Sequence, residues 1–96
     1  MLEIKTIKNK LAPVFSLYNV QSATLFGSYA KGSATEKSDV DLMVDSGLHG
    51  LQFFALVEDI HQTLQKEVDV FDVTHIDDGS RIQKEIYETG VRIYGW

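Results

Sequence analysis

Residues 25 to 44 have the sequence LFGSYAKGSATEKSDVDLMV, in which a Gly-Ser pair is followed by an Asp-Val-Asp segment. Alternate residues of a strand point to the same face, so Asp39 and Asp41 would lie side by side. Two like charges at that separation repel each other, and a cation between them relieves the repulsion. The turn at Gly27 and Ser28 would present backbone N–H groups and a hydroxyl to an anion. The stretch therefore predicts a site for a metal–nucleotide complex.

The composition is typical of a globular protein. Of the 96 residues, 44% are hydrophobic and 24% are charged, which argues against disorder. This length predicts one domain over residues 1–96. The absence of cysteine excludes disulfides and thiolate metal sites. The sequence has neither a long apolar run nor a secretory N-terminus, so we expect no membrane partner and a cytoplasmic location. The net charge of −5, with scattered basic residues, predicts no dedicated nucleic-acid surface.

The hydrophobic spacing predicts the element order α-β-(turn)-β-α-β-α-β. Apolar residues recur at helical spacing in residues 4–18, where Pro13 predicts a kink or break between residues 9 and 12. A short helical turn is expected at residues 28–31, with Ser28 as its cap. Alternating helices and strands favour an α/β (α+β) fold in which helices cover a small mixed sheet. The other predicted helices cover residues 51–66 and 80–90, and the predicted strands cover residues 24–27, 39–45, 67–73 and 91–94.

Residues 27–41, GSYAKGSATEKSDVD, resemble the signature of the DNA-polymerase-β-type nucleotidyltransferase superfamily. In that superfamily a Gly-Ser pair leads, through a loop of similar length, into Asp-x-Asp. The element order also resembles that of the minimal nucleotidyltransferase group over nearly the whole chain. The resemblance implies a palm-like fold and a third carboxylate on a later strand, for which Asp69 is the candidate. Asp72 has the opposite strand parity, so only one of the two can face the metals unless the strand bulges.

The resemblance implies a two-metal reaction at these carboxylates. Asp39 and Asp41 would hold Mg²⁺, which prefers oxygen ligands, and Asp69 would share a second Mg²⁺ with them. All three would be catalytic, and Asp69 would accept the proton of the acceptor hydroxyl.

The same resemblance implies that the segment after the first strand binds the phosphates of ATP. Gly27 would let the backbone approach the triphosphate, and Ser28 would donate its hydroxyl and N–H. Capping of the following turn is the alternative role for Ser28, and both roles can coexist. Lys31 stands where the group has the arginine of GSxARG, and it keeps the charge without the bidentate fork.

Two hypotheses about function follow. Many minimal nucleotidyltransferases are antitoxins paired with HEPN-type ribonuclease toxins, so the resemblance implies such a protein partner and a homo- or hetero-oligomer. Because the palm uses all 96 residues, we expect another protein or a second copy to bring the acceptor. The chain is then either an enzyme that transfers AMP from ATP to a toxin hydroxyl, or a non-catalytic antitoxin that occludes its toxin. Aromatic residues near the C-terminus would serve core packing or an interface, and these are Tyr87, Tyr94 and Trp96.

Overall fold

The computed structural model describes residues 2–95, whose elements follow the predicted order. Four strands form one sheet in the order β3-β2-β1-β4. β1 pairs antiparallel with β2 and β4, whereas β2 and β3 are parallel, so the predicted mixed sheet and α+β fold are confirmed. Within residues 2–95, no helix combines the length and the apolar character needed to cross a membrane. The elements are α1 (Ile4–Leu17), β1 (Ser22–Phe26), α2 (Ser28–Lys31), β2 (Val40–Asp45), α3 (Gly50–Leu64), β3 (Val68–Asp72), a 3₁₀ turn (Val73–His75), α4 (Arg81–Thr89) and β4 (Val91–Tyr94).

The first helix continues through its proline. α1 is one helix with Pro13 inside it, so the helix does not break between residues 9 and 12, and a kink there stays a prediction. A proline within a helix costs about 3 kcal/mol. The helix also buries Ile7, Leu11 and Phe15 completely, and each such side chain contributes about 2 kcal/mol when removed from water. Burial of the apolar stripe therefore outweighs the penalty of the proline.

The sheet has two chemically different faces. In β2 the side chains of Val40, Leu42 and Val44 are buried, whereas Asp41 and Met43 alternate with them and are partly exposed. The buried face packs with α1 and α3 to form the core. Helix α4 packs on the opposite face, over β1. We call this opposite face the acidic face, and the strand register places on it Thr24, Phe26, Asp41, Met43, Asp69 and Phe71.

The ends of β2 and β3 are joined by a buried carboxylate. Asp72 is 2% exposed. Its Oδ1 accepts hydrogen bonds from Ser46 N at 3.1 Å and Ser46 Oγ at 2.7 Å, and its Oδ2 accepts from Thr74 N at 3.1 Å and Thr74 Oγ1 at 2.6 Å. Burial alone would raise the pKa of Asp72, but these hydrogen bonds lower it below the ordinary value. Asp72 is thus a structural residue that fixes the two strand ends.

The C-terminal aromatic residues have different surroundings. The ring of Tyr94 packs against Phe15 of α1, with centroids 5.2 Å apart, so this residue serves the core. The side chain of Tyr87 is 92% exposed on α4. Trp96, which was predicted to belong with them, lies outside the described residues.

Candidate active site

The Gly-Ser turn brings the end of β1 against a carboxylate. Gly27 follows the last residue of β1 with φ +74° and ψ −151°, a conformation that side-chain-bearing residues rarely adopt. A Cβ atom at this position would collide with Oδ2 of Asp41 and would lie 3.2 Å from Oε1 of Glu85. Glycine is therefore required here because carboxylates from β2 and α4 occupy the space above its backbone.

The N–H group of Gly27 is already bound within the protein. It donates to Oγ1 of Thr89 at 2.9 Å, and this hydroxyl donates in turn to the backbone oxygen of Glu85 at 2.8 Å. The expectation that this N–H group is free for an anion is therefore wrong. Thr89 instead links α4 to the turn by this hydrogen bond, and the contact fixes the position of the α4 backbone at Glu85.

The short helix α2 is held by a buried tyrosine. Tyr29 is 4% exposed and belongs to the core cluster. Ser28 is the first helical residue and Gly27 occupies the cap position without a side-chain hydrogen bond, so the predicted cap at Ser28 is wrong. Ser28 is partly exposed, and Lys31 is exposed at the end of the helix. Their roles in phosphate binding, like that of Gly27, stay predictions.

The strand register brings two of the three predicted carboxylates together. Asp41 pairs with Asp69 across β2 and β3, and residues paired in this way lie on the same sheet face. Asp39 is exposed and immediately precedes β2. Asp72 has the parity of the buried face, where its oxygens are hydrogen-bonded. The acidic face thus presents Asp69 rather than Asp72 beside Asp41, and the ligand and catalytic roles of these carboxylates stay predictions.

A fourth carboxylate, that of Glu85, which no sequence motif marks, lies beside Asp41 and Gly27. Burial first, and then the charges of Asp69, Glu85 and Asp39, raise the pKa of Asp41 to about 6. In the described part of the chain no hydrogen bond or cation lowers this pKa. Glu85 belongs to α4, whose contact with Gly27 is a long-range feature, so the local sequence gave no strong signal for it. The site combines negative charges that only a bound cation or proton would balance.

These residues suit a divalent cation in charge and in donor type. Mg²⁺ prefers oxygen ligands, and carboxylates supply them. Within residues 2–95, no three acidic or histidine side chains already form a metal-ligand set. The convergence of Asp39, Asp41 and Asp69 on shared cations therefore stays a prediction.

An apolar groove borders the carboxylates on the acidic face. It lies between β2, the 3₁₀ turn and α4, and its walls include Met43, Val73, Ile76, Ile86 and Tyr87. Met43 is two residues after Asp41 in β2, and the two side chains lie on the same face of the sheet. A flat apolar group of a nucleotide or an acceptor can therefore lie beside the carboxylates.

The raised pKa of Asp41 predicts a specific dependence of stability on pH. The ordinary pKa is 3.8 and the folded-state pKa is about 6, so between these values the folded chain binds more protons than the unfolded chain. This group contributes stability below pH 3.8, and that contribution is lost as the pH rises through about 6. The full shift corresponds to about 3 kcal/mol, which partial exposure of the carboxyl reduces to about 1 kcal/mol. We expect the metal-free Asp41→Asn chain to be more stable than wild type by about 1 kcal/mol at pH 7.

Urea unfolding in EDTA from pH 4 to pH 8 measures this difference. The advantage of Asp41→Asn should disappear near the lower end of the range, where the native carboxyl is neutral. The lowered pKa of Asp72 makes stability rise with pH, which is opposite to the effect of Asp41. Asp72 is present in both wild type and Asp41→Asn, so its effect cancels in the difference between them. An advantage of the same size at every pH would show that the ionisation of Asp41 is not its cause.

The comparisons with known proteins agree with this geometry. A family model described as Polymerase beta, Nucleotidyltransferase matches residues 9–95. A Methanocaldococcus jannaschii protein that is named a protein adenylyltransferase is 38% identical over an alignment of 72 residues, and the match covers 72% of this chain and 76% of that protein. The chain therefore belongs to the polymerase-β nucleotidyltransferase family, and the predicted family is confirmed.

Two solved structures show the same fold. One, described as a minimal nucleotidyltransferase, matches with a TM-score of 0.74 at 24% identity and covers 94% of this chain and 95% of that chain. The other is a tri-AMPylated Shewanella oneidensis HEPN toxin in complex with an MNT antitoxin. It matches with a TM-score of 0.69 at 20% identity and covers 97% of this chain and 73% of that chain. At identities of 24% and 20%, these two matches are evidence for a shared fold and for nothing finer.

Proposed function

We propose that this chain is a Mg²⁺-dependent nucleotidyltransferase that moves AMP from ATP onto a hydroxyl of a partner protein, a HEPN-type toxin. The observation that carries the proposal is the placement of Asp41 beside Asp69, next to the turn at Gly27. A pair of neighbouring carboxylates on one sheet face is the donor arrangement that a metal-bound triphosphate needs. Membership of the nucleotidyltransferase family supports the reaction class.

Each group in the site has a role in the proposed reaction. Asp39, Asp41 and Asp69 hold the Mg²⁺ ions, which neutralise phosphate charge and lower the pKa of the acceptor hydroxyl when bound. Ser28 and Lys31 bind the phosphates beyond the reacting one. They are suited to this because the serine offers a hydroxyl donor and the lysine a positive charge at the end of α2.

The transfer exchanges one phosphorus–oxygen bond for another. The acceptor hydroxyl oxygen bonds to the α-phosphorus of ATP, and the bond from that phosphorus to the bridging oxygen of pyrophosphate breaks. The hydroxyl proton passes to the carboxylate of Asp69, which is exposed at the start of β3. Pyrophosphate leaves with the electron pair of the broken bond, and the acceptor carries AMP.

Two findings support a protein acceptor. The Methanocaldococcus jannaschii relative is named for adenylylation of proteins. The Shewanella oneidensis structure joins an AMPylated HEPN toxin to an MNT antitoxin of the same fold as this chain. A HEPN-type toxin is therefore the partner that we propose.

The position of the label decides whether AMP is transferred. We expect the chain, with Mg²⁺ and a co-expressed HEPN-type partner, to label that partner from ATP carrying the isotope at the α-phosphate. ATP labelled at the γ-phosphate should leave the partner unlabelled, and EDTA should prevent labelling. Labelling from γ-labelled ATP would identify a kinase reaction and reject the proposal, as would no labelling with either nucleotide.

A second candidate function is steric neutralisation. In the Shewanella oneidensis structure the MNT antitoxin is in complex with a HEPN toxin, and this complex supports toxin binding as a second candidate role for this chain. A chain that only occludes a toxin needs no metal and no nucleotide. A variant that lacks the carboxylates therefore distinguishes steric neutralisation from catalysis.

A further inference from the structure

Helix α4 places a carboxylate in the nucleotide site. Oε1 of Glu85 lies 3.2 Å from the position of a Cβ atom on Gly27, and that same position contacts Oδ2 of Asp41. The glutamate is partly buried, and Thr89 binds both its backbone oxygen and the N–H group of the glycine. Its place beside the turn is therefore fixed by the packing of α4 on β1.

This carboxylate lies where an anion must approach. A triphosphate that reaches the backbone of Gly27 meets the charges of Asp41 and Glu85 at the same point. Without a cation these charges repel phosphate oxygens, and a bound divalent cation turns the repulsion into shared coordination or attraction. A glutamate at this point therefore opposes the metal-free nucleotide and favours the metal-bound one.

We propose that Glu85 is a fourth carboxylate of the cation site, and that its charge makes nucleotide binding depend on a divalent cation. This inference rests on the proposed function, because it concerns the same site. Glu85 acts on the cation and on the triphosphate, and the three aspartates keep their roles. Helix α4 is then part of the nucleotide site as well as a cover for the sheet.

The test measures binding with Mn²⁺ and with ATP separately, using the full chain. Mn²⁺ binding to the nucleotide-free protein is followed by the electron paramagnetic resonance signal of free Mn²⁺, and ATP binding in EDTA by calorimetry. We expect Glu85→Gln to weaken Mn²⁺ binding by about five- to ten-fold, as the loss of one nearby charge implies. The same variant should bind metal-free ATP more tightly by about the same factor. Glu85→Asp keeps the charge and should stay closer to wild type in both measurements.

The matched control is Glu88→Gln. Glu88 is exposed on the same helix, and its replacement removes the same charge from the chain. A general effect of net charge would appear equally in this variant, whereas a site effect would appear only at Glu85. Equal Mn²⁺ affinities for Glu85→Gln, Glu88→Gln and wild type would overturn the inference.

A third variant separates this inference from the proposed function. Loss of Mn²⁺ binding in Asp41→Asn together with unchanged binding in Glu85→Gln would reject only the role of the glutamate. Unchanged Mn²⁺ binding in Asp41→Asn would reject the cation site of the proposed function itself. Melting curves in EDTA check the fold of each variant. Glu85→Gln should melt no lower than wild type, because it removes a like charge beside Asp41.

Discussion

A chain with both Asp39→Asn and Asp41→Asn is expected to transfer AMP at least about 10³-fold more slowly than wild type, a loss of about 4 kcal/mol of transition-state stabilisation. The two changes remove two of the three aspartates proposed to hold the cation next to the reacting phosphate, and the amide oxygens that replace them bind Mg²⁺ weakly. The measurement is the single-turnover rate of partner labelling from α-labelled ATP at saturating Mg²⁺.

The control for this variant comes from the same strand. Asp45→Asn makes the same chemical change at the far end of β2, where Asp45 pairs with Ser22 rather than with a carboxylate. We expect this variant to label the partner at a rate close to wild type. A double variant that retained transfer within about ten-fold of wild type would contradict the catalytic role of the aspartates.

The same double variant distinguishes the enzyme from the steric antitoxin. Asp39 and Asp41 belong to the proposed nucleotide site, and a chain without them should still fold and bind the proposed toxin partner. If transfer is the protective step, cells that produce the toxin with the double variant should fail to grow, although the complex can be isolated. Growth equal to that with wild type would show that occlusion protects the cells and that the carboxylates are not needed.

The fold was predictable because its signals are local. Each strand has a short apolar pattern, and the alternation of Asp41 and Met43 with buried valine and leucine marks a sheet with one buried face. The start of α4 was also predictable, because Ser80 and Gln83 have the spacing of a capping box. In the structure the side chain of Ser80 accepts from Gln83 N at 3.1 Å. The continuity of α1 through Pro13 was not predictable, because a local rule does not weigh the burial of a whole helix face.

The candidate site was predictable only in its contiguous part. The Gly-Ser pair and Asp39 and Asp41 lie within 15 residues of sequence. Strand parity left a choice between Asp69 and Asp72, and the position of Asp69 within the predicted strand favoured it. Thr89 is 62 positions from Gly27, so no spacing rule reveals that it takes the N–H group of the turn. The approach of Glu85 depends on the same packing of α4. Contacts of this kind follow from how a helix lies on a sheet, which the sequence pattern does not specify.

Replacement of Gly27 by valine should have the largest effect on the fold. The position requires φ +74° and ψ −151°, and a β-branched residue there meets both backbone strain and the carboxylate of Asp41. Together these effects should lower the free energy of unfolding by about 3–5 kcal/mol. Because small domains have a total free energy of unfolding of about 5–15 kcal/mol, urea unfolding at low temperature is the measurement for the valine variant. Gly27→Ala introduces the same collision with a smaller group and should remain folded.

The alanine variant tests whether the turn belongs to the nucleotide site, and Gly47→Ala is its control. Gly47 also has a positive φ, +68°, but a Cβ atom there meets nothing within 4 Å, so its replacement introduces strain without a collision. We expect Gly47→Ala to lower stability by about 1 kcal/mol and to leave ATP affinity unchanged. Gly27→Ala should lower both, because the added methyl group displaces the Asp41 carboxylate and blocks the close approach of the triphosphate. If folded Gly27→Ala bound Mg²⁺–ATP as tightly as Gly47→Ala, the turn would have only a structural role.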